Sequence, residues 1–468
     1  MRRIALIGLI VATAALSWPT SHVAAQTPAP AGTAAVTFNK DALPVLQRNC
    51  QACHRPGEVA PMSFLTYQDV RPYARAIKNA VTIRQMPPWF AENGYAHYAN
   101  DRQLSQSDID TLVAWVDHGA VEGDAKDRPA PVTFEDGWNI KPDMVIEMPE
   151  DFHVAATGTI NYQNILVKVN FPEDKWVIAA EMRPGNPKVV HHMRANLRPP
   201  SSDFMKSAIP GKAYENGDKS LGNGISETIG KFNPGLGEQA FNEFDSAKFV
   251  PKGSDIVFNI HYTADGQPET DRSKVGFVFA KPGWKPTYRY FMHNGPLANN
   301  LAIPPYDSNA EVVAELTTQQ PMKLVYTQPH MHLRGKDFEL RLIFPSGETR
   351  TVLKGKWDFN WHLGYDLTEP IELPVGTRII SICHYDNSPA NKVNPDPSKL
   401  VYWGDQNWDE MQNIFIGVLV DPSLDQRTFF KASGPSLLPR GDKGPTLSTL
   451  LMRPTGAQTN SQASAETP

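Results

Sequence analysis

The sequence Val189-Val190-His191-His192-Met193 places two adjacent histidines in an apolar, β-branched run. Successive side chains of a strand point to opposite faces. His191 and His192 can therefore share one ion only at a strand end or bulge, or by using different ring nitrogens. Nothing nearby in the sequence explains the pair. We interpret it as half of a metal site whose other ligands lie elsewhere in the chain.

Further histidines lie in similar β-rich surroundings. His261 follows Asn259-Ile260, and His330 and His332 belong to Pro329-His330-Met331-His332. In a strand, residues i and i+2 share a face, so His330 and His332 can chelate one ion without strain. A single histidine is more often a hydrogen-bonded core or surface residue than a ligand, but this clustering favours metal binding. Weaker candidates are His153, His293, His362 and His384.

The chain after a linker near residues 125–132 has the pattern of an all-β protein. Short alternating runs recur between turn sequences such as Pro-Glu-Asp, Pro-Gly-Asn and Pro-Ser-Gly, and the runs are 164–170, 176–180, 256–262 and 323–328. The 41 prolines also suit short strands and turns better than long helices. The length is sufficient for two β-sandwiches, which we place at 133–290 and 291–455.

The motif Cys50-Gln51-Ala52-Cys53-His54 matches C-x-x-C-H, the attachment motif of c-type haem. Two thiols at this spacing reach the two vinyl groups, and the adjacent histidine meets the iron. The alternatives are a redox dithiol or half a zinc site. Neither requires the histidine, and the sequence has no second cysteine pair to complete a zinc site.

The sequence around this motif predicts a small helical domain over residues 36–124. Helical spacing is found at 41–49 and at 70–83, and Ser105 with Asp108 forms a capping box before a helix that stops at Gly119. The arrangement resembles class I cytochrome c. Met86, which directly precedes Pro87 and Pro88, is the favoured sixth ligand of the iron, because a thioether raises the potential of an electron carrier. Its rivals are Met62, His97 and His118.

Composition indicates an exported, soluble protein. Residues 1–25 have a basic start, an apolar run and a Val23-Ala24-Ala25 cleavage site, which together predict a secretory signal peptide and a periplasmic or secreted location. No later run approaches the about 20 apolar residues of a membrane span. A net charge of −5 gives no reason to expect nucleic acid as a partner. Residues 26–35 are predicted to be a flexible lead-in, and 456–468 a disordered tail.

The chain has three cysteines, and Cys383 is the one outside the haem motif. An exported protein of this size without a disulfide framework must rely on packing and bound metals. Cys383 precedes His384, which could indicate another metal site. A buried thiol beside a hydrogen-bonded imidazole is the simpler interpretation.

The order of the histidine motifs, followed by Trp403-Gly404 and Trp408-Asp409-Glu410-Met411, resembles the copper type II, ascorbate-dependent monooxygenases. That family includes peptidylglycine α-hydroxylating monooxygenase and dopamine β-monooxygenase. The resemblance covers roughly residues 133–450. Together with the first domain it implies a multidomain fold, in which a small all-α cytochrome c domain precedes two all-β, jelly-roll-like sandwich domains.

The resemblance also implies a division of the ligands between two copper ions. His191, His192 and His261 match the electron-storing copper, and His330, His332 and Met411 match the copper where O2 binds. Soft thioether ligation favours Cu(I), the form that must meet O2.

Three departures from the family are visible. The animal enzymes are disulfide-rich, and this chain is not. Peptide-hydroxylating members hold the substrate carboxylate with an arginine where this chain has Gln328, and carry a tyrosine where it has Phe415. Amidation of glycine-extended peptides is therefore not supported, and the substrate is left open as a small molecule or a peptide-like compound.

We expect a copper-dependent monooxygenase that uses O2, two copper ions and one covalent haem c. The haem could relay electrons from a periplasmic donor, replacing or supplementing ascorbate or another external reductant. The alternative is a non-catalytic electron-transfer or copper-handling protein. Two differently ligated copper sites favour the enzyme, because a copper store has no need of them.

Overall fold

The computed structural model describes residues 36–433, except 59, 135–136, 217, 219–220 and 223–226. The predicted signal peptide, the lead-in and the tail lie outside these residues. So does the end of the second predicted sandwich.

A helical unit precedes the β-strands. A π-helical turn (Phe38–Ala42) continues into α1 (Leu43–Asn49), and the later helices are α2 (Tyr67–Val70), a 3-10 turn (Arg71–Tyr73), α3 (Ala74–Thr82), α4 (Gln106–Asp117) and a second 3-10 turn (Ala125–Asp127). The unit has its own apolar core, which includes Phe38, Leu46, Val70, Leu112 and Trp115. None of the described helices is long and apolar enough to cross a membrane.

Helix α4 begins as its sequence predicts. The Ser105 hydroxyl accepts the backbone N–H of Asp108 at 3.1 Å, which satisfies one of the free amides of the first turn. Ile109, Leu112 and Trp115 are buried on one face against the unit's core. The helix ends at Asp117, two residues before Gly119, whose φ of +90° suits a glycine at a helix terminus.

Strands predominate after residue 143. The first half contains β1 (Met144–Glu147), β2 (Phe152–Val154), β3 (Gln163–Val167), β4 (Lys175–Arg183), β5 (Val190–Arg198), β6 (Ala213–Glu215), β7 (Glu227–Phe232), β8 (Gln239–Ala240), β9 (Ser246–Val250), β10 (Asp255–Tyr262), β11 (Glu269–Asp271) and β12 (Lys274–Phe279).

The second half contains β13 (Tyr288–His293), β14 (Ala302–Ile303), β15 (Ala310–Thr318), β16 (Met322–His330), β17 (Gly335–Ile343), β18 (Thr349–Lys356), β19 (Tyr365–Leu373), β20 (Arg378–Tyr385), β21 (Val401–Tyr402), β22 (Asn413–Val420), a 3-10 turn (Gln426–Thr428) and β23 (Phe430–Ser433). The described part of the chain is thus mainly β-sandwich with few helices, which confirms the β part of the predicted fold class.

One nine-stranded sheet runs through both halves. Its order is β1-β12-β4-β9-β13-β22-β16-β19, with β8 beside β4. Each half also has a five-stranded sheet. The strand order is β6-β3-β10-β5-β7 in the first half and β18-β17-β20-β15-β23 in the second. Strand β13 crosses the predicted division at residues 290/291, and it pairs with β9 in parallel and with β22 antiparallel.

The two sandwiches meet at β22, which is buried on both faces. Ile414, Ile416 and Val418 belong to the core of the second half, whereas Phe415 and Leu419 face the core of the first. Such a strand needs a continuous apolar run, and residues 414–420 supply it. The first sandwich therefore packs against the reverse side of the second, and the histidine motifs lie at this junction.

A segment between α3 and α4, residues 89–102 and here called the arm, lies against the second sandwich. The Tyr98 hydroxyl donates to the carbonyl of Val352 at 2.8 Å, and the Asn100 amide donates to the carbonyl of Gly364 at 2.9 Å. Trp89 and Tyr98 pack their rings on Tyr365. The helical unit is therefore joined to the β region by more than its linker.

Candidate metal centre

His191, His192 and His261 each offer one ring nitrogen to a common point, and these three nitrogens lie within 4.8 Å of one another. In the ladder between β5 and β10, His192 pairs with His261, and Val190 pairs with Tyr262. His191 is therefore the extra residue of a β-bulge, which frees its side chain from the usual alternation. A bulge is one of the arrangements in which two adjacent histidines can bind the same ion.

The chemistry of these side chains fits a metal. Burial lowers the pKa of His191, His192 and His261, the last to about 3, so the rings are neutral, as ligands must be. His191 Nδ1 is buried and has no hydrogen-bond partner among the described residues. The Tyr162 hydroxyl lies 3.0 Å from His192 Nε2 and can orient that ring.

The His330 and His332 rings are also together, with centroids 5.2 Å apart. Strand β16 ends at His330, so His332 lies two residues beyond its end rather than on the strand. Both rings are buried and burial lowers the pKa of each, that of His332 to about 4. His332 Nδ1 is a second buried ring nitrogen with no partner in the described part of the chain.

His362, a weak candidate in the sequence, lies between the two groups. Its ring centroid is 5.1 Å from that of His330, 5.8 Å from His191 and 6.2 Å from His192. Its Nδ1 is 3.1 Å from His330 Nδ1. No sequence signal marked this residue, since it stands alone in Asn360-Trp361-His362-Leu363.

The hydrogen bonds of His362 determine which nitrogen of His330 is free. His362 Nε2 lies 3.1 Å from the carbonyl oxygen of Phe359, which can only accept, so Nε2 carries the proton. Burial lowers the pKa of His362 to about 3, so the ring is neutral and its Nδ1 is an acceptor. His330 Nδ1 must then donate to it. The lone pair of His330 Nε2 is left for a metal.

Glu410 brings Met411 to the end of β16. Its carboxylate accepts the backbone N–H groups of His332 at 2.9 Å and Arg334 at 2.6 Å. Strands β16 and β22 pair His330 with Asn413, which is two residues after Met411 in the chain. The Tyr385 hydroxyl donates to the Met411 carbonyl at 2.7 Å. These contacts fit Met411 as a third ligand beside the His330 and His332 pair.

Gln328 and Phe415, two of the three departures from the family that the sequence resembles, both lie beside the histidines. The Gln328 amide donates to the carbonyl of His362 at 2.8 Å, and its oxygen accepts from Lys231 and from the Tyr326 hydroxyl. The Phe415 ring lies 6.3 Å from that of His330. Gln328 therefore supports the peptide that carries His362.

The C-x-x-C-H motif follows α1 directly. His54 Nδ1 lies 3.3 Å from the carbonyl of Met62, to which it donates, so Nε2 is the nitrogen left to bind an iron. Burial raises the pKa of Cys50 to about 12 and also raises that of Cys53. A redox dithiol usually has a lowered thiol pKa, so the raised values do not favour that alternative.

The structure separates the candidates for the sixth haem ligand. Met62 contacts the Nδ1 side of His54 through its backbone carbonyl. His118 is exposed with Nδ1 bonded to the carbonyl of Ala114, and His97 is exposed on the arm. Met86 is half-buried just beyond α3, where its amide donates to the carbonyl of Ala80 at 3.4 Å. Met86 stays a prediction, since no described contact joins it to His54.

An ion-pair network connects the haem motif to the first sandwich. Arg55, next to His54, pairs with Glu58 at 2.9 Å, and Glu58 pairs with Arg183 of β4 at 2.7 Å. Arg183 in turn pairs with Glu181 at 3.0 Å. All four side chains are largely buried, so the motif is held against β4.

The loop 232–238 extends from this junction to the histidines. Phe232, Leu236 and Gly237 line a small cavity shared with Gly57 and Glu58 of the haem motif region. The carbonyl of Pro234 accepts the backbone N–H of His362 at 3.3 Å. The carbonyl of Gly235 accepts from Arg102 of the arm at 2.8 Å. One short loop thus contacts both candidate redox sites.

The remaining weak candidates have ordinary roles. His384 lies 2.5 Å from Asp337 through Nδ1, and Cys383 beside it is fully buried. His293 Nδ1 accepts the backbone N–H of Gly295 at 3.0 Å. His153 is exposed on β2. None of these adjoins the histidine centre.

No protein-family model matches the chain, and no curated protein matches it. Among solved structures it is similar to infectious bursal disease virus, Gt strain, at 10% identity over 64% of this chain and 75% of that one, with a TM-score of 0.18. It is similar to a Paenibacillus xanthan lyase at 10% identity over 60% and 26%, with a TM-score of 0.15. At these scores the similarities carry no argument.

Proposed function

We propose that this protein is an exported copper-dependent monooxygenase that hydroxylates a substrate C–H bond, with electrons supplied through a covalently bound haem c. The main support is the histidine centre, where motifs more than a hundred residues apart converge at the junction of two sandwiches. These histidines, together with the segment from Trp403 to Met411, carry the resemblance to the copper monooxygenases. The fused C-x-x-C-H unit lies against the same sandwich.

The residues divide into two ligand sets. His191, His192 and His261 would hold one copper. His330, His332 and Met411 would hold the other, where O2 binds. When bound, copper supplies one-electron chemistry with O2, and two such ions provide the two electrons of the balance R–H + O2 + 2e⁻ + 2H⁺ → R–OH + H2O. Tyr162 and His362 orient the histidine rings, and Glu410 holds the segment that carries Met411.

The connections of the helical unit support the electron relay. Residues 36–124 would form the haem domain, in which Cys50, Cys53, His54 and Met86 would hold the haem. The loop 232–238 contacts both the Glu58 region and His362. A periplasmic donor would reduce the haem, with ascorbate or another reductant as a second source. The substrate would be a small molecule or a peptide-like compound.

Metal analysis and isotope incorporation test the proposal together. The full-length protein should contain about two coppers and one haem iron per chain. His191→Ala and His330→Ala should each lose one copper and retain the haem. Reduced, copper-loaded protein incubated with a metabolite pool under ¹⁸O2 should yield a product heavier by one labelled oxygen. Consumption of O2 by the His330→Ala variant at the normal rate would contradict the enzyme.

Stopped-flow reoxidation tests the relay separately. On mixing with O2, the reduced haem of copper-loaded protein should reoxidise faster than that of copper-free protein. Equal rates would contradict the proposed electron relay but would not contradict the proposed copper centre. Bound copper without any oxygenated product would point to the alternative, a non-catalytic electron-transfer or copper-handling protein.

A further inference from the structure

Two cations face each other beside the histidine centre. Arg194 on β5 is directly opposite Lys231 on β7 in the register of the sheet. Arg194 is two residues after His192 and lies on the same face of the strand. Like charges directly opposite on neighbouring strands are destabilising, and burial increases the cost.

Neither cation has an anionic partner in the described part of the chain. The Arg194 guanidinium makes no hydrogen bond or ion pair there and stacks on the Phe415 ring at 4.8 Å. The Arg194 side chain is half-buried, and its guanidinium nitrogens are accessible to solvent. Lys231 is 5% exposed and bonds to the neutral Gln328 amide. Asp405 and Asp366 act on them only from beyond ion-pair distance. Burial lowers the pKa of Lys231 well below that of a free lysine, so an anion bound beside it would favour its charged form.

Other buried cations of the same sandwich are paired. Lys248, also fully buried, pairs with Glu227 at 3.0 Å, and Arg198 pairs with Asp255 at 3.2 Å. Lys231 therefore departs from the way this chain pairs its buried cations, and the half-buried Arg194 opposite it is unpaired as well. A counter-ion that binds from solvent would neutralise both Arg194 and Lys231.

The surroundings indicate which anion fits. A guanidinium presents a planar fork that matches a carboxylate in two hydrogen bonds, and Lys231 has donors left after its bond to Gln328. The Phe415 ring lies under both cations, at 4.8 Å from Arg194 and 5.3 Å from Lys231. The same ring lies 6.3 Å from His330. An apolar group attached to the carboxylate would thus lie along Phe415 toward His330.

We propose that Arg194 and Lys231 form a carboxylate-binding site and that the substrate of this protein is a carboxylic acid with an apolar body. The binding of the anion stands on these two residues. Its identification as the substrate rests on the proposed monooxygenase function. Gln328 contributes by holding Lys231 in place.

Calorimetric titration of the full-length, haem- and copper-loaded protein tests the site with three probes of one shape. Benzoate should bind, and the neutral benzamide should not. Phenyl phosphate should bind more weakly than benzoate. Stronger binding of phenyl phosphate would overturn the carboxylate assignment, and equal binding of benzamide would overturn the anion site.

Variants show whether the two cations form the site. Arg194→Gln and Lys231→Met should each weaken benzoate binding by at least about tenfold. Arg341→Gln, the same change at a distant strand position bonded to Glu339, should leave binding unaltered. Arg194→Gln should unfold no earlier than the unmodified protein, because it removes an unpaired charge. Unaltered benzoate affinity in Arg194→Gln would overturn the proposal, as would early unfolding of that variant.

Copper spectroscopy links the anion to the centre and separates the two proposals. Benzoate should alter the Cu(II) electron paramagnetic resonance spectrum of the loaded protein, and Arg194→Gln should abolish the change. An unaltered spectrum would overturn the placement beside His330. If the protein binds no copper, the proposed function fails, and benzoate titration of the metal-free protein still decides the anion site.

Discussion

His362 determines which ring nitrogen of the neighbouring His330 carries the proton. Its Nε2 proton is held by the Phe359 carbonyl, so its Nδ1 can only accept, and His330 must donate from Nδ1. The free nitrogen of His330 is then Nε2. Outer partners of this kind commonly change metal affinity by about 10–100-fold.

We expect His362→Leu to weaken copper binding at His330 and His332 by about tenfold or more, because leucine fills the space but offers no acceptor. The copper of the His191 group should keep its affinity. Competition titration with a Cu(I) chelator measures both. His384→Leu, which removes a histidine bonded to Asp337 away from the centre, serves as the control. Equal losses at both coppers would contradict the positioning role.

At the scale of elements, the metal centre is built from strand ends. β16 stops at His330 and β22 starts at Asn413, so the ladder itself does not hold His332 or Met411. Glu410 fixes the turn after β16 by accepting two of its backbone N–H groups. Burial raises the pKa of Glu410 to about 8, which shows how far this carboxyl is removed from water.

Glu410→Gln should lower the free energy of unfolding by about 2 kcal/mol, because an amide places its own donors against one of the two N–H groups. Copper should be lost first from the His330 group, since the turn that holds His332 is released. Urea denaturation and copper analysis measure the two effects. Glu348→Gln, in an exposed hairpin turn, should change stability by less than about 0.5 kcal/mol. An equally small change in the stability of Glu410→Gln would show that Glu410 does not hold this turn.

At the scale of the whole molecule, the helical unit and the β region are joined by the arm and by the Arg55–Glu58–Arg183 network. Glu58 is the shared anion of two largely buried cations. Removing one member of a buried ion pair is far more costly than removing an exposed one, because the partner charge is left uncompensated. The contact that supports the relay therefore also contributes to stability.

Glu58→Ala should destabilise the protein by about 3 kcal/mol and slow haem reoxidation by O2. Glu173→Ala removes the carboxylate of an exposed pair with Lys175 and should change stability by less than about 1 kcal/mol. Thermal unfolding and stopped-flow absorbance are the measurements. If Glu58→Ala lowered stability but left the reoxidation rate unchanged, the network would be structural only.

The sequence was sufficient wherever a property is local. Alternating runs predicted the strands 256–262 and 323–328, and Ser105 with the periodic residues after it predicted α4, because both patterns depend on neighbouring residues. The histidine motifs could be found for the same reason. The bulge at His191 was one of the options that the adjacent pair required, but only the pairing of β5 with β10 selects it.

By itself the sequence determined the β character of the chain after the linker, and it contains the histidine motifs and the C-x-x-C-H motif, since spacing along the chain sets these directly. Only the tertiary structure decided that His362 stands between two histidine groups, that Arg194 faces Lys231, and that Glu58 pairs with β4. Each of these depends on strand register or on contacts between residues far apart in the chain. A lone histidine, arginine or glutamate has no local pattern that distinguishes it from a surface residue. Packing places His191-His192 within reach of the residues that complete its site.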